Sequence, residues 1–357
     1  MKLKTALNNW RRFHQKEFVR MLTAPNRKSL LRQALEAGLL FWRYRHPPVQ
    51  YLRYALYLKT APADWHSRLP YAFFRDLQSR FNPREAQKFA KNKRLFRERM
   101  EAAGLPAVRE IFTIDLEGAI RGAEGQPLAA EDAAALIRAG EFFVKPIDGL
   151  QGRGTSLIRP GDDVEAFVAT ARNVIVQPRV RQHSLLRRLA PNSVNTVRID
   201  TLPNGDRWLN NAAVLKVGIG ENIVDNGSAG GISIGIDLAT GRLHPVGHQK
   251  PKYGSKMFDR HPDTGVVFQD VVLPNWDLLR ETVSRAADAM LPLRSLGWDV
   301  AITEEGVVLL ETNHSWDPDL FEIAWGGLAD TVVGQMACEM QGVKLRRSFR
   351  QADRAAG

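Results

Sequence analysis

The sequence has very few of the features that mark a secreted or membrane-spanning protein. It contains a single cysteine, Cys338, among 357 residues, so an intramolecular disulfide and a four-cysteine zinc site are both excluded. No apolar run approaches the roughly 18 residues of a spanning helix. Residues 1–20 also lack the apolar core of a secretory signal. We therefore expect a cytoplasmic protein of a reducing compartment.

Acidic residues are scarce at one end of the chain. Residues 1–60 hold 13 Lys and Arg but only two acids, Glu17 and Glu36, while residues 61–357 hold 37 of each sign. The net charge of +11 therefore belongs to the N-terminal part. Apolar residues recur there at helical spacing, interleaved with Arg and Lys, which predicts helices over 9–22 and 26–44. Residues 1–80 are thus predicted to form a helical basic segment.

Three roles for this basic segment stay open. It could cap the main body, or contact an anionic membrane surface through residues 1–60, because basic and aromatic helices bind headgroups. In the second case the protein would lie on the inner face of the membrane. Nucleic acid is a disfavoured partner, because no helix-turn-helix or RNA-binding motif accompanies the charge.

A glycine-rich loop follows a short apolar strand in the stretch EFFVKPIDGLQGRGTSLI, residues 141–158. The strand leads to Lys145, and the loop contains Gly149, Gly152 and Gly154. Glycines let backbone N–H groups approach a phosphate, and a lysine adds positive charge beside it. A strand follows the loop, so it is neither a P-loop nor a Rossmann fingerprint, both of which require a helix there. Many hairpin turns have this composition, so the loop alone does not establish a phosphate site.

Around this loop the pattern predicts a continuous helix over residues 82–104 and a strand over 208–217. A second stretch, residues 297–318, predicts a hairpin that turns at Glu304-Glu305-Gly306. Strict alternation would place Leu309, Glu311 and Asn313 on one face, with Asp299 across from the last two. Such oxygen ligands suit Mg²⁺. The alternative is that Glu311 and Asn313 are ordinary strand-end residues that meet solvent.

In this order, FVKPIDGLQGRG, VIVQPRV and GWDVAITEEGVVLLETN resemble the ATP-grasp superfamily. The segments SVNTVRIDTL, IVDNGSAGGI and GWDVAI resemble its sugar-transfer-associated members. The resemblance covers roughly residues 82–328. It implies an α+β fold in which two lobes clasp ATP, joined here to the helical basic segment of residues 1–80. The smaller lobe would comprise residues 81–177 with the glycine loop, and the C-terminal lobe residues 178–357 with a metal site.

The resemblance also implies roles for individual residues. Phosphate contacts would come from Lys93, Lys145, Gly149, Gly152, Gly154 and Lys216. The adenine would meet the hinge residues Gln177, Pro178, Arg179 and Val180, with Leu309 beneath the ring. Two Mg²⁺ ions would be held by Asp299, Glu311 and Asn313. Lys145 and Arg198 would be catalytic, with Arg198 facing an acyl-phosphate. The substrate pocket would include Asn226, His314, Trp316 and Asp317.

Two positions depart from the family pattern. The hinge has Gln177-Pro178-Arg179 where an acidic residue is usual. Gly297 stands where D-alanyl-D-alanine ligases carry an arginine, which disfavours a dipeptide product. The resemblance implies an ATP-dependent carboxylate–amine ligase that acts on a surface-polysaccharide precursor or a related small metabolite. The alternatives are a phosphotransferase and a non-catalytic nucleotide-binding scaffold of an envelope assembly complex.

Overall fold

A computed structural model describes residues 15–147, 154–223, 225, 227 and 230–345. In this part of the chain the strands form two antiparallel sheets, one of five strands and one of eight. Helices pack against both sheets, so the predicted α+β class is confirmed. Within the same residues, no helix is long and apolar enough to cross a membrane.

The secondary structure elements are numbered here in chain order. The helices are α1 (residues 15–23), α2 (Leu30–Tyr44), α3 (Val49–Arg53), α4 (Tyr71–Phe81), α5 (Lys88–Lys91), α6 (Lys93–Ala102), α7 (Ala130–Arg138), α8 (Val164–Thr170), α9 (Ser184–Leu189), α10 (Trp276–Ala289), α11 (Asp319–Ala324) and α12 (Val332–Met340). The strands are β1 (Phe112–Ile114), β2 (Ile120–Gly122), β3 (Phe142–Pro146), β4 (Ser156–Ile158), β5 (Val174–Pro178), β6 (Thr196–Asn204), β7 (Arg207–Leu209), β8 (Ala213–Val217), β9 (Ile232–Ile236), β10 (Leu243–His248), β11 (Met257–Phe258), β12 (Leu296–Thr303) and β13 (Gly306–Asn313).

The smaller sheet has the strand order β2-β1-β5-β3-β4. Its apolar face packs against α7 and α8, and the shared core includes Ile114, Ile137 and Val176. β3 and β5 are neighbours in the sheet, and Phe143 pairs with Gln177. This pairing brings the Lys145 strand beside the predicted hinge strand.

The larger sheet has the strand order β11-β10-β9-β8-β6-β12-β13, with β7 also paired to β6. Its core side is covered by α10, and the buried cluster includes Trp298, Leu279 and Val283. The predicted hairpin is confirmed as β12 and β13, with Asp299 paired to Glu311. The chain leading from α6 joins this sheet as well, because the Leu309 amide donates to the Pro106 carbonyl at 2.8 Å. The hairpin is thereby fixed on both edges.

The N-terminal segment is helical, as predicted, although α2 begins at Leu30, where Ser29 caps it through a hydrogen bond from the Arg32 amide. A second apolar cluster joins this segment to the C-terminal part of the chain. Phe74 packs against Trp316 with ring centroids 5.8 Å apart, and Phe321 lies 5.5 Å from the same ring. The segment therefore shares a core with the residues that follow β13. The lobe boundaries after residues 80 and 177 stay predictions.

Two predicted elements are interrupted. The helix over 82–104 breaks at Asn92, whose side chain accepts hydrogen bonds from the Arg94 and Leu95 amides and so starts a new helix, α6, at Lys93. The strand over 208–217 divides into β7 and β8. Asp200 causes this second break, because its carboxylate accepts from the Asn211 and Ala212 amides. In both places a side chain takes over backbone hydrogen bonds.

Asn82 links the N-terminal segment to the hairpin and offers a test of stability. Its fully buried amide donates to the carbonyls of Ser295 and His314 at 2.7 and 2.6 Å and accepts from the Arg294 and Ser295 amides at 3.0 Å. We expect Asn82→Ala to lower the free energy of unfolding by about 3 kcal/mol, because it leaves buried backbone groups unpaired. Calorimetric melting would measure this, with the exposed Asn204→Ala as the control. Equal melting temperatures would contradict it.

Candidate active site

A cavity of about 220 Å³ is lined by side chains from both sheets. The smaller sheet contributes Phe143, Lys145, Gln177 and Pro178. The larger sheet contributes Thr196, Arg198, Lys216, Asp299, Leu310, Glu311 and Asn313. Basic side chains and carboxylates that lie far apart in the sequence therefore line the same cavity.

Strand register explains why the charged residues of the larger sheet meet. Arg198 on β6 pairs with Asp299 on β12, which in turn pairs with Glu311 on β13. On the other side of β6, Lys216 pairs with Thr196. Directly paired residues in antiparallel strands lie on the same face. The three strands thus place the Arg198 guanidinium and the carboxylates of Asp299 and Glu311 side by side across the floor of the cavity.

A bulge in the hairpin corrects one prediction. Asp299 pairs with Glu311, but the next residue, Val300, pairs with Leu309, so one residue of β13 is extra at this point. A bulge of this kind shifts the alternation of side chains by one. Leu309 is fully buried in the main core, and Leu310 lines the cavity instead. The assignment of Leu309 to the adenine site is therefore wrong, and Leu310 is the leucine that is placed to contact a ligand.

Asp299 is almost completely buried and is held by two cations. The Arg198 guanidinium donates two hydrogen bonds to it, at 2.8 and 2.7 Å, and the Lys216 ammonium lies 3.0 Å from the same carboxylate. Burial opposes ionisation of this group, but the charges of Arg198 and Lys216 outweigh it and hold the pKa of Asp299 well below its usual value. The two cations thus favour the ionised form of Asp299.

Glu311 has the opposite electrostatic balance. Burial and the negative charge of Asp299 raise its pKa, although Lys145 and Lys93 act in the other direction. Across the cavity, burial lowers the pKa of Lys145, and its ammonium donates to the Gln177 side chain at 3.2 Å. Two carboxylates therefore lie on one wall and two lysines on the other. The space between them can accept a group that carries both phosphate and a cation.

Lys93 is positioned by the capping turn at Asn92, since it is the first residue of α6. Its ammonium donates to the carbonyls of Pro146 and Ile147 at 3.3 and 3.4 Å. It therefore lies where the glycine loop leaves β3. At the other end of that loop Gly154 has φ +74°, a conformation that favours glycine, and a Cβ there would lie 3.0 Å from the Pro146 ring. Gly149 and Gly152 lie outside the described residues.

The predicted hinge residues are only partly at the cavity. Gln177, Pro178 and Val180 line it, whereas the Arg179 guanidinium forms an ion pair with Glu141 at 2.8 Å and donates to the Asn192 carbonyl. A backbone contact between Arg179 and an adenine stays a prediction. Asn226, a predicted substrate residue, lies outside the described residues.

The predicted substrate residues after β13 have three different placements. Asp317 lines the cavity and forms an ion pair with Lys250 at 3.0 Å. Trp316 also borders it, but it is 99% buried and packs mainly into the core described above. His314 is not among the described residues that line the cavity, because Asn313 faces it and the next side chain lies on the other side. Burial and the charges of Lys91 and Arg75 lower the pKa of His314 to about 4.

The sequence argument missed two charged residues of the site. Asp225 accepts hydrogen bonds from the Thr196 amide and hydroxyl and lies 3.7 Å from the Lys216 ammonium. Lys250 pairs with Asp317 from the loop after β10. The resemblance implies a substrate role for Asn226 in the segment IVDNGSAGGI, but it assigns none to the neighbouring Asp225. Lys250 could not be predicted from a local sequence pattern, because its partner, Asp317, is 67 residues away in the chain.

The wall with Asp299, Glu311 and Asn313 fits the Mg²⁺ that the resemblance implies. Within the described residues, no group of three or more His, Cys, Asp or Glu could hold a metal on its own. The Asn313 amide nitrogen is buried and has no hydrogen-bond partner among those residues, and the amide oxygen is the atom of this side chain that would bind the ion. Two carboxylates and an amide suit Mg²⁺, which takes its remaining ligands from water and substrate phosphates.

A family model described as sugar-transfer associated ATP-grasp matches residues 72–334, well over half of the chain. No curated protein matches the sequence.

Similar solved structures include the ATP-grasp ligase PsnB in complex with a minimal precursor, at 18% identity and a TM-score of 0.40 over 73% of this chain. D-alanyl-alanine synthetase A from Vibrio cholerae has 12% identity and a TM-score of 0.41 over 67% of this chain. An L-amino acid ligase from Bacillus licheniformis has 11% identity and a TM-score of 0.43 over 72% of this chain. The chain spans 62%, 61% and 48% of the length of these three proteins, respectively.

Proposed function

Because the chain belongs to the sugar-transfer-associated ATP-grasp family, we propose that it is an ATP-dependent ligase that joins a carboxylate to an amine. Family membership implies the ATP-grasp fold, ATP binding and the use of Mg²⁺. The observation that supports catalysis is the cavity itself, in which Lys145 and Lys93 lie opposite Asp299, Glu311 and Asn313.

ATP would bind with its phosphates between these two walls. Lys145 would contact the α- and β-phosphates as a point charge, and Lys93 would order the start of the glycine loop. The base would lie near Pro178, Val180 and Leu310, where the wall is apolar. Mg²⁺ bound at Asp299, Glu311 and Asn313 would neutralise phosphate charge, and the number of ions, two, stays a prediction.

The proposed reaction begins with a carboxylate of the substrate. One of its oxygens attacks the γ-phosphorus of ATP, the bond to the β–γ bridging oxygen breaks, and an acyl-phosphate and ADP form. An amine then attacks the acyl carbon, inorganic phosphate leaves, and the amine nitrogen loses a proton. The protein contributes mainly position and charge to such a transfer.

Arg198 and Lys216 would act beside the transferred group. Both are buried next to Asp299, so their charges are fixed in a place from which water is largely excluded. Positive charge held in this way stabilises the negative charge that develops on the phosphoryl oxygens. Closure of the glycine loop would keep water from the acyl-phosphate.

The acceptor would bind at the end of the cavity that contains Asp317 and Lys250. These two groups form an ion pair at 3.0 Å, so an incoming amine can pair with the Asp317 carboxylate and an incoming acid with the Lys250 ammonium. The family description suggests that the acceptor is a precursor of a surface polysaccharide, and a related small metabolite would satisfy the same pair.

Calorimetric titration with Mg-ATP tests the nucleotide part of the proposal. We expect the wild type to bind and Lys145→Ala to lose binding by at least about tenfold, because a phosphate-contacting charge is removed. Lys344→Ala, at an exposed position, is the matched control and should bind like the wild type. No binding by a folded wild type would contradict the nucleotide site itself, and with it both the ligase and the nucleotide-binding scaffold.

Phosphate release tests the ligase part. Addition of the acid and the amine together should release inorganic phosphate, whereas a phosphotransferase would retain the phosphate on its product. A panel of acids and amines is therefore screened by phosphate release, with mass spectrometry of the product. A phosphorylated product without phosphate release would replace the ligase by a kinase.

A further inference from the structure

Helix α2 turns its apolar side away from the protein. Along one stripe Leu31, Leu35, Leu39 and Trp42 have exposed fractions of 74%, 61%, 55% and 67%. These positions follow the spacing of a single helical face. A helix on the surface of a globular protein normally buries such a stripe. This helix does the reverse and leaves a continuous apolar ridge in contact with solvent.

The inner side of α2 begins with two buried polar residues, Gln33 and Glu36, which make specific contacts that orient the helix. Glu36 is buried and accepts hydrogen bonds from Lys28 at 2.7 Å and from the Tyr51 hydroxyl at 2.8 Å. Gln33 is buried as well and donates to the Lys28 carbonyl at 2.7 Å. Leu40 and Tyr44 then join the second apolar cluster. Rotation of the helix to bury its leucines would break all of these contacts.

Apolar side chains of α1 are exposed as well. Phe18, Val19 and Leu22 in this preceding helix are 50%, 56% and 40% exposed. Leu30 and Phe41 add to the ridge of α2 at 54% and 50%. Scattered single apolar residues are ordinary on a protein surface, but a contiguous patch of this kind indicates an interaction site.

The basic charge of residues 1–60 is in excess, and the only two acids of this range, Glu17 and Glu36, are paired. Glu17 pairs with Arg20 at 2.6 Å, and Glu36 pairs with both Lys28 and Arg32. Lys16, Arg45 and Lys59 remain exposed. Arg45 also lies over the exposed Trp42 ring, at 5.7 Å from its centroid. An apolar ridge with a tryptophan, in a segment with an excess of basic charge, is complementary to anionic headgroups above acyl chains.

We propose that the exposed ridge of α2, formed by Leu30, Leu31, Leu35, Leu39, Phe41 and Trp42, docks the protein on an anionic lipid bilayer. The side chains would enter the boundary between headgroups and acyl chains, and basic side chains of the same segment would contact lipid phosphates. The helix would lie along the surface.

The N-terminal segment that contains α2 is joined to the residues at one end of the cavity. α3, in the same N-terminal segment, places Arg53 in an ion pair with Asp319 at 2.6 Å, two residues after the cavity residue Asp317. The shared apolar cluster makes the same connection through Tyr51 and Phe321. Binding to a membrane would therefore hold the acceptor end of the cavity at a fixed relation to the lipid surface.

Vesicle sedimentation tests the proposal with the full chain. We expect the wild type to pellet with vesicles of phosphatidylglycerol and phosphatidylcholine, and to do so less as salt is raised. The triple variant Leu31→Ser, Leu35→Ser, Trp42→Ser should lose at least tenfold in partitioning. Leu116→Ser, Leu136→Ser and Leu278→Ser, which are also exposed, form the matched triple control and should partition like the wild type.

Melting temperatures of both triple variants establish that they are folded. The proposal is overturned if the wild type stays in the supernatant with anionic vesicles, or if the control triple loses as much partitioning as the ridge triple. Sedimentation velocity tests whether the ridge instead binds a second copy of this chain. A wild-type dimer that the ridge triple dissociates, without vesicle binding, would assign the ridge to self-association instead. Mg-ATP binding is measured separately, since this surface does not depend on the proposed reaction.

Discussion

Replacement of Glu311 by glutamine is expected to abolish ATP turnover while the fold remains intact. The glutamine has nearly the same shape, so it can occupy the same place in β13 opposite Asp299. The change removes one of the two carboxylates that face Lys145 and Lys93. We expect kcat to fall by roughly a thousandfold, because the loss of one group that stabilises charge in the transition state has effects of this size.

The melting temperature separates this effect from unfolding. Burial and the charge of Asp299 both oppose the ionised form of Glu311, so removal of its charge should not destabilise the fold. Glu305→Gln is the matched control, because it makes the same chemical change at an exposed position in the turn of the same hairpin. Unchanged phosphate release by Glu311→Gln would remove Glu311 from the metal and phosphate site.

The hairpin shows how far the sequence could be read. Its two strands, its turn and the pairing of Asp299 with Glu311 all follow from apolar alternation and a glycine turn, and they are confirmed. The bulge that brings Leu310 to the cavity, where Leu309 was expected, was not predicted. One extra residue cannot be recognised in a run of Val and Leu, because every position in that run is apolar. The positions of the charged residues could be predicted from the sequence. The side of the strand on which Leu309 and Leu310 lie could not, because it depends on the bulge.

Contacts between residues far apart in the chain could not be predicted from the sequence, for a different reason. Helical periodicity predicted α2, but the outward direction of its leucines depends on Glu36 meeting Lys28 and Tyr51. A periodic pattern shows that two faces differ and not which of them is buried. In the same way, Lys250 enters the site only because the loop after β10 reaches Asp317.

Asp299→Asn is expected to damage both stability and activity, in contrast to Glu311→Gln. Asp299 is the partner of the Arg198 guanidinium through two hydrogen bonds, and all three groups of this cluster, including Lys216, are at least 90% buried. Removal of the anion leaves Arg198 buried without its counter-charge, whereas Lys216 retains Asp225 at 3.7 Å. A broken buried pair typically costs about 3–5 kcal/mol, and we expect a loss of this size in urea or calorimetric unfolding.

A double variant separates the contribution of Asp299 to stability from its contribution to activity. When Arg198→Met accompanies Asp299→Asn, the unpaired buried charge is removed together with its partner, so much of the lost stability should return. ATP turnover should remain absent, because the double variant lacks both the carboxylate that is proposed to hold Mg²⁺ and the Arg198 charge that is proposed to act beside the transferred group. If the double variant regained turnover along with stability, Asp299 would have only a structural role. If stability stayed low in the double variant, the bidentate pair would not be the source of the loss, and the cost would lie with the neighbouring Lys216.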